Sequence, residues 1–207
     1  MTTWLGRHGW RLFLLLGGLA ILVGGPMHPG GTMAEMLAHP NWFPGHALML
    51  LGFIGLAAGL ALWGRPAHLP PRTGCWLRLA FWASVLQSID YVFHTAAMVD
   101  LDRLLAGAPT PILTTHLWMT VIVYPIFGAI LAGFLIAAAR DRLLGSWWIA
   151  WLGIAGGIGH GLAGPLVVLW ELEWARDLFV MIVLVSIWMI AAAAWPGRRA
   201  SPAMATS

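Results

Sequence analysis

"PGHALMLLGFIGLAAGLALWG", residues 44–64, contains one polar side chain, His46. A helix needs roughly 20 mostly apolar residues to cross the hydrocarbon of a bilayer. This stretch meets that requirement, so it predicts a transmembrane helix with a histidine close to its start. The rest of the chain extends the pattern. Five further apolar runs lie at about 10–26, 75–98, 112–138, 147–169 and 177–195, and no long hydrophilic segment separates them. The expectation is one all-α domain over residues 1–207, an integral membrane bundle of six transmembrane helices.

Composition agrees. Of 207 residues, 60% are hydrophobic and only 9% charged, against about 25% charged in soluble domains. Arg7 and Arg11 before the first apolar run resemble a signal peptide. No small-x-small cleavage site follows, so the run reads as a retained helix. All eleven basic residues are arginine, and they are not clustered into a basic face, which argues against a nucleic-acid partner. Cys75 is the sole cysteine, which rules out an intramolecular disulfide and a multi-cysteine metal site. "GGIGHG", residues 156–161, lies within an apolar span with no strand before it, so it is not a dinucleotide fingerprint. HxxxH and HExxH motifs are missing too. The sequence leaves open whether the protein is an enzyme.

Arginine asymmetry gives an orientation, since cytoplasmic loops carry the excess of basic residues. Arg7, Arg11, Arg65, Arg72, Arg78, Arg140, Arg142, Arg198 and Arg199 fall at one face, and only Arg103 and Arg176 at the other. Both termini are therefore expected in the cytoplasm of a bacterium, with the chain a multi-pass protein of the inner membrane. Trp4, Trp63, Trp76, Trp118, Trp147, Trp148, Trp170 and Trp195 fall near predicted span ends, as an interfacial aromatic belt would.

That topology collects the histidines. His46, His94 and His116 fall near the outer (periplasmic) ends of their spans, His160 lies deeper, and His28 and His39 occupy the first outer loop. Gln87, Asp90, Tyr91 and His94 stand at i, i+3, i+4 and i+7, a single helical stripe. His116, Thr120 and Tyr124 form a second stripe at i, i+4 and i+8. Polar groups avoid lipid, so both stripes are expected to face the bundle interior. Asp90, one turn from His94, is placed to orient a neighbouring imidazole as supporting carboxylates do at metal sites. Gly55 and Gly59, then Gly153, Gly157 and Gly161, allow close helix packing and would also leave a flat slot for a planar ligand.

With "GHALMLLGF", "DYVFHTAAM", "TTHLWMT" and "GIGHGLAG" each placing one histidine on spans two to five, the chain resembles the cytochrome b-561 family. The resemblance is one of pattern over about residues 44–170 and has no specific linear motif. It implies electron transport and haem b held by His46, His94, His116 and His160. The family pairs helices two and four, and three and five, for haems at opposite membrane faces. Here no spanning histidine lies near the cytoplasmic face, so one outer haem is expected, with Arg103 and Arg176 as candidates for its propionates. Electrons would then come from a quinol, an outer-side donor or another membrane subunit.

Two other cofactor readings stand beside haem. "PMHPGGTMAEMLAH" offers Met27, His28, Met33, Met36 and His39, soft and imidazole ligands suited to copper. Asp90 and Glu35 with His46, His94 and His116 offer mixed nitrogen and oxygen ligands suited to non-haem iron or zinc. The remaining alternative is an accessory subunit of a membrane complex, with the histidines as hydrogen-bonded core residues.

Overall fold

The computed structural model describes residues 4–63, 69–143 and 146–195. Arg65, His68, Arg198 and Arg199 lie outside the described residues. The chain is helical with no strand among the described residues: α1 (Trp4–Gly24), α2 (Met33–Ala38), α3 (Trp42–Trp63), α4 (Pro71–Ala96), α5 (Leu101–Leu105), α6 (Pro111–Arg140), α7 (Trp147–Val168) and α8 (Ile182–Ala194). A nine-residue 3-10 segment, Glu173–Met181, leads into α8. Helices α1, α3, α4, α6, α7 and α8 pack in that order into a closed ring, with α8 returning against α1.

Five segments are long and apolar enough to cross a membrane: His8–Met27, Trp42–Trp63, Pro111–Arg140, Trp147–Val168 and Glu173–Ala194. The sixth expected span is the helix α4. Its 26 residues suffice in length, but its apolar character is diluted by Arg72, Arg78, Gln87, Asp90 and His94. The dilution has a structural reason. Gln87, Asp90, Tyr91 and His94 are all buried, on the face that α4 turns to the bundle interior. Leu79, Trp82, Leu86, Ile89 and Val92 are exposed on the other face.

In lipid, apolar burial does little to drive helices together, and close packing does more. The α6–α7 contact relies on this. A Cβ added at Gly128 would stand 2.2 Å from the Gly157 carbonyl oxygen, and one at Gly164 would stand 2.5 Å from that of Thr120. The glycines expected to leave a slot for a planar ligand are consumed by helix contact too: a Cβ on Gly55 would meet Gly17 Cα at 2.8 Å, one on Gly59 the Leu14 side chain at 2.7 Å, and one on Gly161 the Tyr124 carbonyl oxygen at 2.9 Å. Pro125 lies inside α6, and the helix runs on past it to Arg140.

One end of the ring carries a cap built from α2 and α5, which touch each other. Leu37, Trp42, Ala97 and Leu113 form its small core, with Met33, Met36, Leu101 and Leu104 packed around them. α2 starts with a capping box. The Thr32 N–H and hydroxyl donate to Glu35 Oε2 at 2.7 and 2.8 Å, and the Glu35 N–H donates to Thr32 Oγ1 at 3.4 Å. These bonds hold the Glu35 carboxyl below its ordinary pKa. Gly31 precedes the box at φ +113°, and a Cβ there would meet Glu35 Oε2 at 2.8 Å. Asp100, buried, accepts from the N–H groups of Ile112 and Leu113 at 2.7 and 2.9 Å, so it caps α6 from twelve residues upstream. At the opposite end of the ring Thr73 donates to Asp141, joining the start of α4 to the end of α6.

Candidate metal centre

Three ring helices deliver histidines beneath the cap: His46 from the second turn of α3, His94 from the last turn of α4 and His116 from the second turn of α6. All three are buried, at 2%, 9% and 5% exposure, and Asp90 beside them is at 0%. His28, from the link after α1, joins them from the surface side. The rings form a continuous packed group. Centroids lie 4.9 Å apart for His28 and His46, 4.1 Å for His46 and His94, and 3.8 Å for His94 and His116. Trp42 lies over the group at 4.2 Å from His46 and 5.2 Å from His94.

The hydrogen bonds decide which nitrogens are available. A neutral imidazole has one N–H and one lone-pair nitrogen, and the bond made by one fixes the role of the other. His28 Nδ1 lies 2.9 Å from the Pro29 carbonyl and His46 Nδ1 2.6 Å from that of Trp42. A carbonyl can only accept, so in both rings Nδ1 donates and Nε2 keeps its lone pair. His116 Nδ1 lies 2.9 Å from Asp90 Oδ1, which assigns the same tautomer with a carboxylate as acceptor. His46 Nε2, His94 Nδ1 and Asp90 Oδ2 are buried with no hydrogen-bond partner. Such an unmet group ordinarily costs about 1–3 kcal/mol.

Two sets of side chains could hold an ion, each offering one atom per residue within 4.8 Å of the others: His28, His46 and His94, and Asp90, His94 and His116. His94 belongs to both. His28 is the exposed member of its set, whereas the second set is buried throughout. The covered side of the His28 ring has lost its water, and chiefly for that reason its pKa lies below the ordinary 6.5, against the raising effect of the Pro29 bond.

The other residues singled out by sequence lie elsewhere. His160 is buried two turns further along the ring, against Tyr124 at 4.5 Å, Phe179 at 6.0 Å and Phe53 at 6.5 Å. Neither of its nitrogens has a hydrogen-bond partner. Tyr91, stacked parallel to Tyr124 at 6.5 Å and lying 5.4 Å from His94, stands between that layer and the cluster. His39 is exposed at the end of α2, where its Nδ1 accepts from the Asn41 N–H at 3.1 Å. Met33 and Met36 pack into the cap core. Glu35 is engaged in its capping box, Arg103 bonds the Pro109 carbonyl at 3.5 Å, and Arg176 pairs with Glu173 at 3.1 Å on the surface.

Sequence reasoning grouped His28 with the loop methionines, and it did not single out Trp42. The signal for both was present. Trp42 and His46 stand at i and i+4, so they share a face of α3. "GPMH" ends α1 within reach of that face, since a Cβ on Gly45 would meet Met27 Cβ at 3.1 Å. Comparison of the chain with protein families, with curated proteins and with solved structures gives no match.

Proposed function

We propose that this is a multi-pass membrane protein carrying a transition-metal centre at the outer side of a bacterial inner membrane, and that the centre serves redox chemistry through copper or iron. One observation carries the reading. His28 and His46 each commit Nδ1–H to a backbone carbonyl and present Nε2 to the cluster, the arrangement found in metal-binding histidines, and His116 lies against the Asp90 carboxylate. The buried, unmet His46 Nε2, His94 Nδ1 and Asp90 Oδ2 supply the matching need for a cation. Imidazole with one carboxylate suits copper, iron or zinc. The orientation rests on the arginine count, and α4 is taken as a sixth span because its polar groups face inward.

Haem b fits this packing less well than a directly ligated ion. With metal–nitrogen bonds of about 2 Å, two axial imidazoles hold their ring centroids roughly 6 Å apart, one on each side of the porphyrin. The neighbouring pairs His46–His94 and His94–His116 are at 4.1 and 3.8 Å, and between His28 and His94, which are 6.0 Å apart, His46 packs at 4.9 and 4.1 Å.

The test is elemental analysis and a visible spectrum of the full chain, purified in detergent without a polyhistidine tag or chelator. Stoichiometric copper or iron is expected, without a Soret band. His94→Ala should remove it, because both ligand sets need His94, whereas His39→Ala should retain it. A Soret band would establish the haem reading instead. A protein that takes up neither haem nor metal would leave the histidines as core contacts of an accessory subunit.

A further inference from the structure

The four imidazoles and the carboxylate fall into two sets that share His94, and the sets are graded from surface to interior. We infer that the cluster is a two-station relay for a divalent cation, an inference that rests on the metal reading above. The ion is captured by His28, His46 and His94 and then passes to Asp90, His94 and His116.

Three features of the geometry support this. The first is access. His28 is exposed, whereas Asp90, His94 and His116 are buried beneath Trp42 and the cap. An ion arriving from water meets His28 first. The second is charge. The outer set holds neutral imidazoles only, and the inner set adds the carboxylate of Asp90. A cation held away from water is favoured where an opposite charge stands beside it, so the inner set is the resting place. The third is the common ligand. His28, His46 and His116 are each fixed by an Nδ1 hydrogen bond. His94 Nδ1 has no such bond, and packing alone holds its ring between His46 and His116. It is therefore the one ligand able to turn from the first set to the second while still bound.

The transfer balances without an oxidant or a co-reactant. Bonds from the ion to the His28 and His46 nitrogens break as bonds to an Asp90 oxygen and a His116 nitrogen form. The bond to His94 is kept, no electron moves, and Nδ1–H stays on His28 and His46; at His116 the ion takes Nδ1 in place of its hydrogen bond to Asp90 Oδ1, and the proton moves to Nε2, which faces Thr120 Oγ1 at 3.4 Å. Because both sets need His94, the stations exclude each other and the chain holds one ion at a time.

Co2+ tests this, since its visible absorption reports the ligands around it. Metal-free full chain in detergent is mixed with excess CoCl2 in a stopped-flow instrument. Two phases are expected in the wild type, a capture step whose rate rises with Co2+ and a transfer step whose rate does not, ending at one Co2+ per chain. His28→Ala should slow capture by about tenfold or more, the order of effect that losing a supporting group has at metal sites, and leave the final spectrum unchanged. Asp90→Asn should keep capture and lose transfer. If circular dichroism finds that variant unfolded, His116→Gln takes its place with the same expectation. A single phase in the wild type, two Co2+ per chain, or capture unaffected by His28→Ala would overturn the relay while leaving a metal site standing. A wild type that binds no Co2+, alongside native protein purified without metal, would remove the metal reading and the relay together.

Discussion

His28 shows how a residue near the surface becomes part of a buried site. Its ring is dry on the side facing His46 and Trp42 and exposed on the other. Protonation would place a cation against that dry face, next to a cluster that already includes His116, so the folded state binds this proton less readily than the unfolded chain does. The sign follows. Below the unfolded value of about 6.5 the unfolded chain takes up more protons, so stability is complete above that pH and declines as pH falls below it. The metal-free protein should therefore melt at a lower temperature at pH 5 than at pH 8. His28→Gln, which cannot be protonated, should narrow that difference. Equal acid sensitivity in the variant, measured by thermal melting in detergent, would mean that His28 contributes nothing to it. Metal binding should weaken over the same range, because imidazole binds a metal only in its neutral form.

At the scale of elements, α6 depends on two residues outside ordinary apolar packing. Asp100 occupies its N-terminal donors, and Gly128 lets α7 approach to backbone contact. Gly128→Ala places a methyl group 2.2 Å from the Gly157 carbonyl oxygen, with rigid backbone on both sides. Overpacking of this kind typically costs about 1–3 kcal/mol. A fall in melting temperature is expected with the helix content of the folded state retained, and an unchanged melting temperature would show that α6 and α7 can separate freely. The glycine pattern was legible in the sequence as a packing signal. Its second meaning, a slot for a planar ligand, was not decidable there, because spacing along one helix does not say whether a neighbouring backbone fills the groove. The cap shows the same limit. The i, i+3 and i+4 stripes on α4 and α6 correctly put Asp90, His94 and His116 inside, since period and polarity fix a helix face. The pairing of Asp100 with α6, and of Met33 and Met36 with Trp42, depends on where loops fold back, and no period encodes that.

For the whole molecule, what matters is which end of the ring faces which compartment. The topology brings His28, His46, His94 and His116 to the end that carries α2 and α5, and puts Arg11, Arg72, Arg78, Arg140 and Arg142 at the opposite end. In the orientation proposed from the arginine bias that second end is cytoplasmic, and the candidate metal end then faces outward, where an ion can reach His28 without crossing the bilayer. Cys75 provides an internal probe of this arrangement. It is the only cysteine, it is exposed, and it lies in the first turns of α4 at the arginine-rich end. In intact bacterial cells a membrane-impermeant maleimide should leave it unmodified, and permeabilisation should make it reactive. His39→Cys in a Cys75→Ser background should be labelled in intact cells, since His39 is exposed at the end of α2. Labelling of Cys75 in intact cells, with protection at position 39, would invert the protein. The cluster would then draw its ion from the cytoplasm, where thiols compete for copper, and iron or zinc would become the better match for its imidazole and carboxylate ligands.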